Sequence, residues 1–236
     1  MKPTKPTGPA KPPNSPAKLP NSPAKLPKTI NADADGLRQA CEALKSGGLV
    51  AYPTESFYGI GARHDDERAL KRLFALKGSR EGKPFSLIVP DRESLKHICT
   101  GISETAQRLM ERYWPGPLTL VLEARAGLSE LIAPWGTVAV REPGESAALE
   151  LVRKCGFPIT ATSANPSNDP PAITARDVAR YFPEGLEIIL NTADTADATV
   201  ISDTTGGLAS TIVDATADEI RVLRHGAIEL DKAELA

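Results

Sequence analysis

The chain has 236 residues with 28 Lys and Arg against 30 Asp and Glu; 41% are hydrophobic and 5% aromatic. That length suits one large domain or two small ones, with a core built from Ala, Val, Ile and Leu. No run of about 18 apolar residues is present to span a membrane, and no apolar stretch near the start reads as a secretory signal; Cys41, Cys99 and Cys155 are odd in number and far apart, which excludes a disulfide framework or zinc ribbon and fits small buried thiols in a reducing cytosol.

Residues 1–29 hold nine of the 21 prolines and six lysines with no acid. The unit PNSPAKL occurs twice there, at 13–19 and 20–26. Proline at this density blocks helix and ladder hydrogen bonds, and the segment offers too little apolar surface to offset ordering, so it reads as a disordered Pro/Lys-rich tail. The rest of the chain carries 22 basic against 30 acidic residues, a net of −8. That argues against a body that grips nucleic acid over a wide surface and leaves room for a local basic pocket or a weak RNA contact.

The folded part is expected to span 30–230. Leu37, Ala40, Cys41 and Leu44 recur at helical spacing and predict a helix over 35–46, stopped by Gly47 and Gly48. Residues 49–52 read as a buried strand, 67–76 as a helix, 85–89 as a strand and 103–113 as a helix. Strands follow at 118–122 and 137–141, a helix at 147–155, a strand at 159–162, a helix at 174–181 and a strand at 187–190. Residues 211–214 and 220–223 read as an antiparallel pair. The alternation predicts an α/β fold: a single twisted, mixed parallel and antiparallel sheet with flanking helices.

Polar residues gather at the expected strand ends, where ligands of open α/β sheets bind. Tyr52–Gly61 runs from a strand into Thr54, Glu55 and Ser56 and then two glycines; an ordinary loop is the plain alternative. Leu76–Phe85 places Lys77, Arg80 and Lys83 within seven residues, either as charges complementing a helix end or as a phosphate clamp. Trp114–Thr119 is a Pro/Gly turn that leads into Thr119. Thr160–Ser167 ends a strand in small hydroxyl residues and Asn165, either a helix cap or a set of donors to a ligand. Arg141 and Arg224 each follow a strand, as surface cations or as two-pronged anion holders.

Taken in order, YPTESFYGIGA, LKGSREGKPFSLIV, WPGPLTLVL, VAVREP, ITATSANPS, STIVD and VLRHGAI resemble the YrdC/TsaC family of threonylcarbamoyl-AMP synthases over residues 49–228. The resemblance implies a YrdC-like fold and ATP, L-threonine and bicarbonate as substrates, with Mg2+ brought by the ATP and no dedicated metal site. It implies L-threonylcarbamoyl-adenylate and pyrophosphate as products, a cytoplasmic setting, and hand-over to a complex that modifies tRNA. It assigns Lys77 to the family's Lys-x-Arg signature and Ser163 and Asn165 to its Ser-x-Asn half. Thr54 matches a threonine that contacts the amino acid; Thr119, Arg141, Ser210 and Arg224 match positions lining the substrate pocket. The family arginine falls on Ser79, so either Arg80 takes its place through a one-residue shift or the clamp is weakened. An RNA-binding or regulatory paralogue, and a paralogue making another carbamoyl-adenylate, are the rival readings.

Overall fold

The computed structural model describes residues 26–78, 83–166, 169–192 and 207–231. In chain order they form β1 (Lys28–Asn31), α1 (Ala34–Lys45), β2 (Val50–Pro53), β3 (Tyr58–Gly61), α2 (Glu67–Lys77), β4 (Ser86–Ile88), a 3-10 turn (Glu93–His97) and α3 (Glu104–Tyr113). There follow β5 (Leu118–Glu123), β6 (Thr137–Arg141), α4 (Ala147–Cys155), β7 (Ile159–Ser163), α5 (Ala175–Tyr181), β8 (Ile188–Asn191), β9 (Thr211–Asp214) and β10 (Arg221–Arg224). The ten strands make one sheet in the order β1-β8-β2-β3-β7-β4-β6-β5-β9-β10. Four neighbouring pairs are parallel and five antiparallel, so the sheet is mixed.

Side-chain oxygens fix the helix starts. Asp33 accepts from the amides of Asp35 and Gly36, Asp66 from those of Arg68 and Ala69, and Ser103 from that of Ala106. Thr174 and Asp177 form a reciprocal capping box on α5. Gly47 and Gly156 follow α1 and α4 with φ of 78° and 70°, a left-handed turn that a side chain would strain.

The strands sort their side chains by period two onto two cores. Leu49 and Ala51, Leu87 and Ile189 face a cluster shared with α2, α3 and α5. Val50 and Tyr52, Ile88, Ile188 and Leu190 face the other cluster, with α1 and α4. Each fully buried Leu or Ile contributes about 1.5–3 kcal/mol relative to exposure. Cys41, Cys99 and Cys155 are buried free thiols within these cores.

Two strands escape the sequence reading. Tyr58–Gly61 reads in the sequence only as the end of a polar, Gly-containing segment after a strand, either ligand-facing or an ordinary loop, yet it pairs antiparallel with both β2 and β7. The reason lies across the ladder. Tyr52 stands opposite Gly59, and a Cβ on Gly59 or Gly61 would fall 3.1 or 2.8 Å from its ring. The ring occupies the space the glycines leave and reaches the Thr160 carbonyl on β7 at 2.6 Å. The second is β1, which starts at Lys28, ahead of the expected start at residue 30. Past Pro27 the backbone regains its donors, and Lys28 N donates to Glu187 O at 3.1 Å.

Candidate active site

The open face of the sheet follows from burial. In β5, Leu118, Leu120 and Leu122 point into the core shared with α2 and α3, as do Val138 and Val140 in β6 and Val213 in β9. Period two then puts Thr119, Arg141 and Ser210 on the opposite face. Helices α1 and α4 pack over the β2, β8, β4 and β7 side of that face, while Val121, Ala139 and Ile212 beyond it remain partly exposed.

Arg141 ends β6 opposite Ile88. Its guanidinium is buried and donates from Nη1 to Glu55 Oε1 at 2.5 Å. Glu55 is itself buried, in the turn between β2 and β3. Thr54 shapes that turn: its hydroxyl donates to Phe57 O at 2.8 Å and accepts from the amides of Ser56 and Phe57. The same turn lies against two glycines. A Cβ on Gly144 would meet the Glu55 side chain at 3.7 Å and the Gly116 Cα at 3.6 Å. Gly116, just past the cis Trp114–Pro115 bond, donates to Glu142 O at 3.0 Å.

Thr119, Ser210 and Arg224 form one network. The Thr119 and Ser210 hydroxyls are 2.9 Å apart. Arg224 donates to the Ser210 carbonyl and hydroxyl. Desolvation by the surrounding protein, and then the charge of Arg141, hold the Arg224 pKa below the usual arginine range although much of the side chain remains exposed. Arginine nevertheless stays charged in proteins, so two guanidinium groups share this end of the face. Gly226 permits the arrangement, since a Cβ there would meet Ala209 O at 2.2 Å.

Lys77, Ser163 and Asn165 form a second group. Lys77, the last residue of α2, is buried; its ammonium donates to Ser163 O at 2.5 Å and to Asn165 O. Asn165 Nδ2 donates to the carbonyls of Pro166 and Asp169. Asn165 is 8% exposed, and its Oδ1 is buried without a hydrogen-bond partner among the described residues, an acceptor suited to a ligand donor. Arg80, like Ser79, lies outside the described residues.

The β2–β3 turn links the two groups. At its base Gly59 stands opposite Ser163, whose carbonyl holds Lys77, and Ala164 N donates to Tyr58 O. At its tip Glu55 holds Arg141. Glu55 was quoted in the sequence motif without a role; its signal was an acid directly after a buried strand. Gly116 reads in the sequence as part of a Pro/Gly turn, but the close approaches made at glycines 116, 144 and 226 had no signal of their own, because they depend on partners remote in sequence.

Among the described residues no group of three or more His, Cys, Asp or Glu is placed to hold a metal ion, and no helix is long and apolar enough to cross a membrane. Two open clefts of about 440 and 360 Å3, lined by Asp66 and its neighbours and by Arg92 and its neighbours, contain none of the residues above.

Comparison with known proteins adds an independent finding. The Sua5/YciO/YrdC family profile, described as "Telomere recombination", matches residues 42–226. A curated relative from Pyrococcus abyssi, named threonylcarbamoyl-AMP synthase, is 37% identical over 199 residues, 84% of this chain and 56% of that protein. Another so named, from Thiobacillus denitrificans, is 40% identical over 147 residues, 62% of this chain and 78% of that protein. The crystal structure of P. abyssi Sua5 complexed with L-threonine superposes with a TM-score of 0.75 at 35% identity, covering 85% of this chain and 57% of that one. The present chain thus spans little more than half the length of its P. abyssi relative.

Proposed function

We propose that the chain, which belongs to the Sua5/YciO/YrdC family, joins ATP, L-threonine and bicarbonate into L-threonylcarbamoyl-adenylate and releases pyrophosphate. The observation that carries this reading is the placement of Arg141, next to the Leu120–Val140 pair of β5 and β6, at the same end of the open sheet face as the linked Thr119, Ser210 and Arg224, in the fold of a protein solved with L-threonine. Two cations beside the hydroxyls of Thr119 and Ser210 suit the carboxylate of an amino acid or a phosphate oxygen.

In this reading the threonine amine and bicarbonate form a carbamate with loss of water. A carbamate oxygen then bonds to the α-phosphorus of ATP as the bond to the leaving pyrophosphate breaks. Catalysis comes from holding the reactants together and meeting the developing charge with fixed donors. Arg141, Arg224, Thr119 and Ser210 hold the anionic groups, and Thr54 shapes the turn that borders them. We assign charge neutralisation at the phosphates to Lys77 and, on the sequence resemblance, to Arg80. The Ser163 hydroxyl and the buried Asn165 Oδ1 orient the nucleotide or the amine. Magnesium arrives on the ATP phosphates and neutralises part of their charge when bound. The adenylate is a reactive mixed anhydride, so a separate threonylcarbamoyl-transfer complex consumes it in tRNA modification, in the cytoplasm.

The test is pyrophosphate release from the purified protein with ATP, magnesium and bicarbonate, with and without L-threonine and with L-serine for comparison. Threonine-dependent release supports the reading. Tight ATP binding without release overturns it in favour of a paralogue with another task, such as RNA binding.

A further inference from the structure

Glu55 is the least expected feature of the site. A carboxylate in a pocket built for anions repels the ligand, and burying it costs free energy unless a partner compensates. Glu55 is 7% exposed, and its partner is Arg141, itself 7% exposed. Their contact of 2.5 Å joins the β2–β3 turn to the end of β6. Arg141 ends β6 beside Thr119 on β5, whose hydroxyl meets the Ser210 that holds Arg224, and its charge acts on Arg224.

We propose that Glu55 is a positioning residue for this site: its carboxylate fixes the Arg141 guanidinium and cancels one of the two positive charges that Arg141 and Arg224 bring. The assignment rests on the synthase reading and adds to it. Three things follow from the geometry. With one Nη1 proton committed to Glu55, the rest of the Arg141 fork is held in one orientation toward an incoming oxyanion. With one charge cancelled, this end of the site matches a singly charged group better than a multiply charged one such as pyrophosphate, so product leaves readily. And because the acid sits on the turn shaped by Thr54, the pair holds that turn against the cation.

The oxyanion received by Arg141 is either the threonine carboxylate or an ATP phosphate, and kinetics separate them. Glu55→Gln keeps the shape and removes the charge. It is expected to raise the KM of one of the two substrates about tenfold, in line with loss of a hydrogen bond between charged groups, and to strengthen inhibition by pyrophosphate. Glu55→Asp keeps the charge but withdraws it by one methylene. It should retain wild-type pyrophosphate sensitivity while the KM stays raised, and it carries the test if the Gln variant does not fold. In an Arg141→Gln background, Glu55→Gln should add nothing further to KM. Unchanged KM values for both substrates, or additive effects in the double variant, overturn the assignment. Calorimetric titration of ATP and of L-threonine on the same proteins reads the Glu55 effect without turnover. Wild-type protein that binds but does not release pyrophosphate therefore sinks the synthase reading alone, and protein that binds neither sinks both.

Discussion

Arg224 donates from Nε and Nη2 to the Ser210 carbonyl, at 3.1 and 2.8 Å, and from Nη2 to the Ser210 hydroxyl at 3.0 Å. The guanidinium thereby ties the end of β10 to the residue that precedes β9 and, through the hydroxyl contact with Thr119, to β5. A lysine in its place is a point charge and cannot serve these acceptors together. Arg224→Lys is expected to lower kcat/KM for pyrophosphate release by about 10- to 100-fold, the cost of one to two charge-assisted hydrogen bonds. The side chain is exposed, so a thermal melt should barely move.

Lys77 presents a different case, because its ammonium is buried and engaged by the turn that carries Asn165. Lys77→Ala removes a cation and leaves two carbonyls without that donor. Threonine-dependent pyrophosphate release is expected to disappear, with a stability loss of about 1–3 kcal/mol in a urea titration. Full activity in this variant would show that the lysine has no part in the chemistry.

The position of β1 sets a sharp limit on truncation. Removing residues 1–26 leaves the strand intact and should change neither melting temperature nor activity. Removing residues 1–31 deletes the parallel partner of β8 and exposes that edge. The longer deletion should melt several degrees lower.

The Tyr52 ring predicts a coupled pair. A Cβ on Gly61 would meet it at 2.8 Å, so Gly61→Ala should destabilise the fold by about 1–3 kcal/mol, the usual cost of overpacking. The shorter side chain of Tyr52→Leu makes room for that methyl. Combined with it, Gly61→Ala should cost measurably less than it does alone, read by denaturant unfolding.

His64 predicts the acid limb of stability. Its Nδ1 lies 3.0 Å from Pro158 O, which only accepts, so this nitrogen carries the proton in the neutral ring. Burial holds its pKa below the usual value. The unfolded chain therefore takes up a proton first as the pH falls below about 6.5. Stability from this group is complete above that value and is lost on acidification toward the depressed folded-state value. His64→Gln should flatten the fall in melting temperature between pH 7 and 5. A fall of unchanged slope would place its origin in other groups.

The sequence disclosed most of the fold because the signals were local. Leu37, Ala40, Cys41 and Leu44 trace one helix face, and the strands expected at 211–214 and 220–223 form an antiparallel pair, the second one residue later at Arg221–Arg224. What stayed hidden was set by distant partners. The sequence Tyr-Gly-Ile-Gly becomes a central strand only because Tyr52 covers its glycines. Lys28–Asn31 carries little apolar signal and becomes a strand because β8 offers an edge. In the site, residue types at strand ends marked Thr119 and Arg224 and the family resemblance added Ser210; the structure connects all three. Thr54 was expected at the amino acid, and the structure shows its hydroxyl committed to the turn. The role of Glu55 was illegible, since nothing local couples it to Arg141, a residue remote in sequence.

The strand order also dictates when the site can exist during synthesis. Antiparallel β2–β3 and β5–β6 join strands that are neighbours in sequence and can close early. The parallel pairings wait, with Thr29 meeting Ile189 and Thr119 meeting Ile212. A nascent chain that has not yet released β8 and β9 leaves β2 and β5 with open edges, and Thr119 without the Ser210 hydroxyl. The ATP-dependent chemistry proposed for this face is thus withheld until β8 and β9 have emerged and paired, and the open edges of the unfinished sheet are where a chaperone would be needed.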